Sequence, residues 1–304
     1  QASNPSKWTY THSYDNKGNL TTVTTNKTVG GLSSRVSAYT YDEANRMTNE
    51  TITEGGVKKL SRTYTYQSSG RGKLWGITDN LDATKSKYFY YDNRGRIGYY
   101  SQNNSNYVYA YDNYGNVVSK QGNTGSIYQC SWERGNLLKQ VIINGKTVKY
   151  EYNRQNVRFK KTSGGVVTNY YLDGSKILGE DRGGNKLRYF YDNDGLIGLS
   201  YNGSRYRYIK DGQENIVGIV NENGVLEAQY KYDSNGNTTV KTSTGVVNTS
   251  SSFIGNMNPF RWKSCYYDAE SGLYNVNGRY YEADRGGYID AMEADRSKGA
   301  GMNF

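Results

Sequence analysis

The sequence predicts an all-β protein: a long antiparallel sheet of stacked hairpins that curls into a spiral or a hollow shell strip. Three observations predict it. A Tyr-Asp turn motif recurs along the chain, and the runs around it alternate with the two-residue period of a strand. The third is composition: among 304 residues there are 33 Tyr and 36 Gly, against 6 Phe, 4 Met and 2 Pro. Aliphatic residues are too sparse for a conventional Leu/Ile/Val core. Tyrosine suits a thin wall, because its ring buries like an apolar group while its hydroxyl stays with water or a polar partner. The same aromatic and β-branched content argues against disorder.

Taken in order, clear copies of the motif begin at Tyr14-Asp15 (YDNKGNL), Tyr41-Asp42 (YDEANRM), Tyr91-Asp92 (YDNRGRI), Tyr111-Asp112 (YDNYGNV), Tyr191-Asp192 (YDNDGLI) and Tyr232-Asp233 (YDSNGNT). Weaker copies at Tyr66, Trp132, Tyr152 and Tyr171 fill the gaps. From Tyr91 to Tyr191 the steps are 20, 21, 20, 19 and 20 residues; earlier steps are longer by polar runs such as TITEGGVKK. Each unit opens with an alternating run such as KYFYYD or YVYAYD, whose tyrosines at i and i+2 share one face. The Asp then hydrogen-bonds the backbone two residues on, and Gly or Asn takes the positive-φ position that reverses the chain. A second strand follows (GRIGYYS, GNVVSKQ), then a turn such as NGK, GGN or ENG into the next unit. Tyr91, Tyr111, Tyr152, Tyr171 and Tyr191 are expected to line up in rows across neighbouring strands. Open twisted sheets rarely exceed roughly ten strands without curling, so some twenty strands imply curvature. Propeller blades need roughly 40 to 50 residues each, and a 20-residue unit fits a continuous strip better.

The net charge is +10, but no block of five like charges appears, so a solvated surface accounts for it and no specific nucleic-acid partner is expected. Cys130 and Cys265 lie too far apart to suggest a disulfide framework, and with His12 as the single histidine no metal site or cofactor is expected. DNDG at 192–195 lacks the later bidentate Glu of a calcium loop, so the motif aspartates read as structural. No apolar run is long enough for a membrane span. QASNPSKW lacks both Met and a signal-peptide core, and reads as part of a longer chain.

The YD-x-x-G-[NR]-[LIV] pattern resembles the YD repeats of the Rhs and teneurin superfamily, which includes bacterial wall-associated and insecticidal-complex proteins. Residues 206–237 (YRYIKDGQENIVGIVNENGVLEAQYKYDSNGN) resemble the segment that precedes that family's associated core. Residues 258–291 (NPFRWKSCYYDAESGLYNVNGRYYEADRGGYIDA) resemble the core signature itself, carried by Asn258, Pro259, Phe260, Arg261, Tyr267, Asp268, Gly272, Leu273, Tyr274, Arg279, Tyr280 and Tyr281. The resemblance divides the chain into a repeat strip, 1–205, and the last repeats with the core, 206–304. It implies a hollow shell of YD hairpins, secreted or on a bacterial surface, that shelters or presents a C-terminal toxin or effector region of the same parent chain.

Chemistry is sought first at the end of the chain. Self-cleaving members of the family use paired aspartates in the core, and two carboxylates that share a proton can activate water. Aligned without gaps, the acidic position falls on Met292; a three-residue shift places it on Asp295, with no second aspartate following. Asp295 is therefore a weak catalytic candidate, and the chain is expected to be a structural segment and no enzyme. An adhesive module that stacks tyrosines on cell-wall or other glycans is the alternative. The aromatic run from Asn258 to Tyr281 must bury its rings. It is expected to fold against the concave face of the strip, with Arg261 and Arg279 tethered to carboxylates or carbonyls. Beyond Asp290 the chain is expected to be poorly anchored.

Overall fold

A computed structural model describes residues 9–26, 34–68 and 72–291. Twenty-two strands form one long antiparallel sheet that does not close into a barrel, and 61% strand against 4% helix meets the expectation of almost no helix. Four short strands, Tyr266–Asp268, Leu273–Val276, Arg279–Glu282 and Gly287–Tyr288, make a second small sheet. The described residues fall into two compact units, one running to Ile127 and the other from Tyr128 to Ala291. The first unit starts with β1 (Thr9–Tyr14), β2 (Leu20–Asn26) and β3 (Arg35–Tyr41). The second holds the later hairpins and the whole 258–290 segment.

One local device builds the hairpins. At the motif residue the pairing register shifts by a bulge: Tyr14 meets Leu20, Tyr41 meets Met47, Tyr66 meets Leu74, Tyr91 meets Ile97 and Tyr152 meets Arg158. The following acid fills the turn. Asp42 Oδ1 accepts from the Ala44 and Arg46 amides at 2.9 Å each, and Arg46 Nε reaches its second oxygen at 2.7 Å. Asp15 with Asn19, Asp92 with Arg96, Asp112 with Asn116, and Asp233 with Asn237 repeat the clamp. Asp192 differs, because Tyr191 pairs with Leu196 across a shorter turn and the acid accepts from Asp194 N alone among the bonds described. The same clamp at Asp211, with Asn215, marks a unit whose motif position is Lys210.

The tyrosine hydroxyls tie each hairpin to the one before it. Tyr41 donates to Leu20 O, Tyr66 to Met47 O, Tyr91 to Leu74 O and Tyr111 to Ile97 O, at 2.6 to 2.8 Å. Tyr152 to Leu138 O, Tyr191 to Ile177 O and Tyr232 to Ile216 O continue the pattern. The deepest row is not the motif tyrosine but the residue two before it: Tyr39, Tyr64, Phe89, Tyr109, Tyr150, Tyr189 and Tyr230 are all buried. Two-residue alternation puts both positions on the inner face. Tyr171 departs from the expected row. The bulge there falls between Tyr171 and Leu172, so Leu172 takes the motif position and Tyr171 points outward, 46% exposed.

Candidate functional site

The second unit carries a dense buried polar cluster where the 258–290 segment lies on strands of the large sheet. Asp268 is fully buried and meets Arg158 Nη1 at 2.5 Å and Lys161 Nζ at 3.0 Å. Both cations come from the Arg158–Ser163 strand. Arg158 stands where most other units carry an apolar residue, such as Leu20, Met47 and Ile97, six after the motif Tyr152. Tyr150, Tyr170 and Tyr266 place their rings 5.0 to 5.2 Å from its guanidinium carbon, and Tyr280 stands at 5.9 Å. Among the described residues Arg158 Nη2 has no hydrogen-bond acceptor, and the ring faces provide electrostatic contact for the guanidinium. Lys161 also reaches Glu270 at 2.8 Å.

The cluster extends along the sheet. Tyr266 donates to Glu180 Oε2 at 2.6 Å, and Arg182 pairs with the other Glu180 oxygen. Tyr128 donates to Glu282 at 2.9 Å, Tyr150 to Ser271 at 3.0 Å, and the Tyr152 and Tyr280 hydroxyls meet at 2.8 Å. At the other end Asn258 accepts from Tyr208 at 2.6 Å and donates to the Tyr230 hydroxyl and Phe260 O. Pro259 O accepts the Tyr267 amide, and Phe260 packs edge-on against Tyr189 at 4.7 Å. Tyr281 donates to Asn235 O and Tyr274 to Gly236 O. Gly236 has φ +88 and faces Trp262 so closely that a Cβ would sit 2.7 Å from the indole. Glycine is required there twice over.

Within the segment, the Gly272 amide closes the turn onto Asp268 O, leaving Leu273 buried behind it. Arg261 Nη2 and Nε donate to Asn256 O and Asn258 O at 3.4 Å, and its guanidinium lies 4.5 Å over the Tyr267 ring. Arg279 grips Asp290 at 2.7 Å, and Asp290 also accepts the Tyr280 amide.

Electrostatics fix the charge states. Burial alone would raise the Asp268 carboxyl, but Arg158 and Lys161 outweigh it and hold the acid below its ordinary range. Burial pushes Asp290 up, only partly offset by Arg279. Desolvation drives the Tyr150 and Tyr266 phenols far above their ordinary value and Tyr170 to about 12, so they remain neutral donors. The Cys130 thiol is pushed up by burial, and Glu282 adds to the shift. The arrangement is a fastening: one buried anion between two buried cations, flanked by tyrosine-to-glutamate bonds.

The structure thus gathers every residue of the core signature on one segment and joins Asp268 and Tyr280 directly to the sheet. The motif tyrosines and aspartates instead lie spread along the hairpin turns, and Tyr14 is 61% exposed. Met292 and Asp295 lie outside the described residues. Among the described residues no three His, Cys, Asp or Glu side chains gather as metal ligands, and no helix is long and apolar enough to cross a membrane. Sequence reasoning missed Arg158, Lys161, Glu180 and the Lys210 unit. Arg158 carried a signal, being charged at an aliphatic position of the repeat.

Fold and site together define a repeat-built antiparallel β protein with a polar-fastened terminal segment. Its relatives are more particular. No family model matches. Over 258 residues the chain is 29% identical to the tRNA nuclease WapA of Bacillus subtilis (strain 168), spanning 82% of this chain and 10% of that one. Over 188 residues it is 31% identical to the tRNA(Glu)-specific nuclease WapA of Bacillus subtilis subsp. natto, spanning 59% of this chain and 8% of that one. The chain therefore spans about a tenth of the length of these curated relatives. Crystal structures of TcdB2-TccC3-Cdc42 and of TcdB2-TccC3 superpose with TM-scores of 0.43 and 0.42 at 13% and 12% identity; each covers 95% of this chain and 20% of the other. The expectation that the protein is no enzyme is corrected by the nuclease names its relatives bear.

Proposed function

We propose that the chain is the shell segment of an Rhs/YD-repeat polymorphic toxin of the tRNA-nuclease kind, secreted or displayed at the bacterial surface. The 82% of the chain that aligns with a tRNA nuclease is the observation that carries this reading. The hairpin sheet, bound unit to unit by tyrosine hydroxyls, is the wall, and the nuclease region of the same parent chain is its cargo. The segment 258–290 is the plug, and the Asp268–Arg158–Lys161 triad is the bolt that holds it. Anionic tRNA is then cleaved once the nuclease region is released.

The test is protease protection in the parent protein. The nuclease region should survive trypsin while the shell is intact, and should become sensitive when Asp268→Asn loosens the plug. tRNA cleavage by the purified parent gives the activity readout. Digestion of the nuclease region at the same rate with the intact and the loosened shell would refute the sheltering role.

One observation favours a second reading, glycan adhesion. On the outer face of the first unit Tyr90 stacks on Tyr99 at 4.3 Å, Trp75 lies 5.2 Å from Tyr88, and Trp75 and Tyr90 are exposed. Retention on a peptidoglycan or chitin column, lost in Trp75→Ala, would support it.

A further inference from the structure

On the outer face of the second unit Lys160 is matched by Glu151 at 2.8 Å. Three arginines on that face have no such partner. Arg188 stands on the strand Asn185–Asp192, and Arg205 and Arg207 on Ser204–Lys210, with Gly195–Tyr201 between the two strands. The register sets Arg188 opposite Ser200 and Ser200 opposite Arg205, while Gly198 lies opposite Arg207. Directly opposed residues share a face, and Leu187, Tyr189 and Leu199 fill the buried one. All three arginines therefore point away from the core, and all are exposed. Among the described residues none of them meets a carboxylate. Arg188 donates to Leu187 O at 3.0 Å and lies 4.5 Å over the Tyr171 ring, contacts that leave its charge in place.

We propose that Arg188, Arg205 and Arg207 form a binding face for a phosphodiester-linked polyol or sugar polymer, with successive phosphates on successive arginines. Two strand spacings separate Arg188 from Arg205, about 10 Å, and two residues separate Arg205 from Arg207, about 7 Å. Only Gly198 and Ser200 lie between them, and neither has the bulk to hold guanidinium groups apart. Three cations within about one screening length, with no acid among them, attract a polyanion. The guanidinium fork matches phosphate oxygens, and the spacing is an interval that a short polyol spans between phosphates.

The carbons between the phosphates have a surface too. Phe190, opposite Gly198, and Ile197 beside it are exposed apolar side chains. A nucleic acid fits less well, because each base asks for a ring face. Near the three arginines Phe190 offers one, whereas Tyr171 already has Arg188 over it. This inference stands on the arginine rows and is independent of the cargo and of the aromatic surface around Trp75.

The probe is poly(glycerol phosphate) immobilised on a biosensor, with the full chain titrated over it at low salt. Binding should be saturable. Arg205→Gln with Arg207→Gln should weaken it about 25-fold, two exposed ion pairs at about five-fold each. The same pair should flatten the dependence of log affinity on log salt by about 1.4, at roughly 0.7 per lost contact. Lys58→Gln with Lys59→Gln makes the same charge change at exposed positions of the other unit. It should alter affinity less than about two-fold, because screening confines the effect to near charges. Equal losses in the two double variants overturn the proposal, since binding then follows net charge alone. Tighter binding of single-stranded oligouridylate overturns it in favour of a nucleic-acid surface, and equal binding of poly-γ-glutamate in favour of an unselective one. Absence of saturable binding at low salt overturns it outright.

Discussion

Replacing Asp268 by Asn removes one charge at nearly constant volume. Asp268 is the only acid touching Arg158 among the bonds described, whereas Lys161 keeps Glu270 at 2.8 Å. The substitution thus strands one fully buried cation and half-strands another. Removing one partner of a buried pair costs roughly 3 to 5 kcal/mol. Because the tyrosine rings still face Arg158 and the amide oxygen still accepts a hydrogen bond, the loss should fall near the lower end, about 3 kcal/mol. Urea unfolding followed by tyrosine fluorescence measures it at pH 7. The acid limb supplies an independent check. The Asp268 carboxyl is held below its ordinary 3.8, so its contribution is complete above that value and is lost as pH falls through the folded-state value. Asp290 runs the other way: raised from 3.8, it contributes most below that value and loses its contribution as pH rises through the folded-state value. Asp268→Asn should therefore be less stable at neutral pH and lose less stability than the native chain as pH falls below 3.8. A change under about 1 kcal/mol, the scale of an exposed ion pair, with an unaltered acid limb, would refute the fastening role.

Tyr111→Phe deletes the hydroxyl bond to Ile97 O and should cost about 1 kcal/mol, while Tyr111→Ala should cost about 3 kcal/mol, both by urea midpoint. Asp112→Ala, which frees two turn amides and the Asn116 side chain, should fall between them. Gly198→Ala would place a methyl 2.3 Å from Tyr206 O on the adjacent strand, and thermal melting should show a loss of several kcal/mol, typical of overpacking against backbone. Gly203→Ala, with φ +96 but open space around it, should cost only about 1 kcal/mol. Cys130, buried and with its thiol pushed up, should resist dithiobisnitrobenzoate at pH 8 in the native protein and react once the chain is unfolded.

The fold was legible because its unit is local. Tyrosine alternation, the turn acid and the positive-φ residue lie within ten residues of one another, and together they specify a hairpin. The same locality explains the misses. At Tyr171 two adjacent aromatic or aliphatic residues could each claim the motif position, and only the bulge shows that Leu172 holds it. Lys210 hid its unit by replacing the aromatic on which the motif is recognised, although Asp211 still clamps the turn. The deeper row at Tyr39, Tyr64 and Tyr150 follows from alternation, but the motif drew attention two residues downstream. The fastening was not legible: nothing near Arg158 in the chain announces Asp268, which is 110 residues away. Such pairings depend on how the sheet brings strands beneath the segment.

The backward reach of the tyrosine hydroxyls gives assembly a direction. Each motif tyrosine finds its carbonyl 14 to 21 residues earlier, in a hairpin already complete when the tyrosine leaves a ribosome or a translocation channel. The bonds from Tyr266, Asp268 and Glu282 that fasten the 258–290 segment span 86 to 154 residues and can close only after the hairpins they join exist. Loop closure over such distances is slow, whereas neighbour-to-neighbour addition is fast. The polypeptide can thus be laid down course by course in the order of its synthesis, with the last piece set after the masonry is standing.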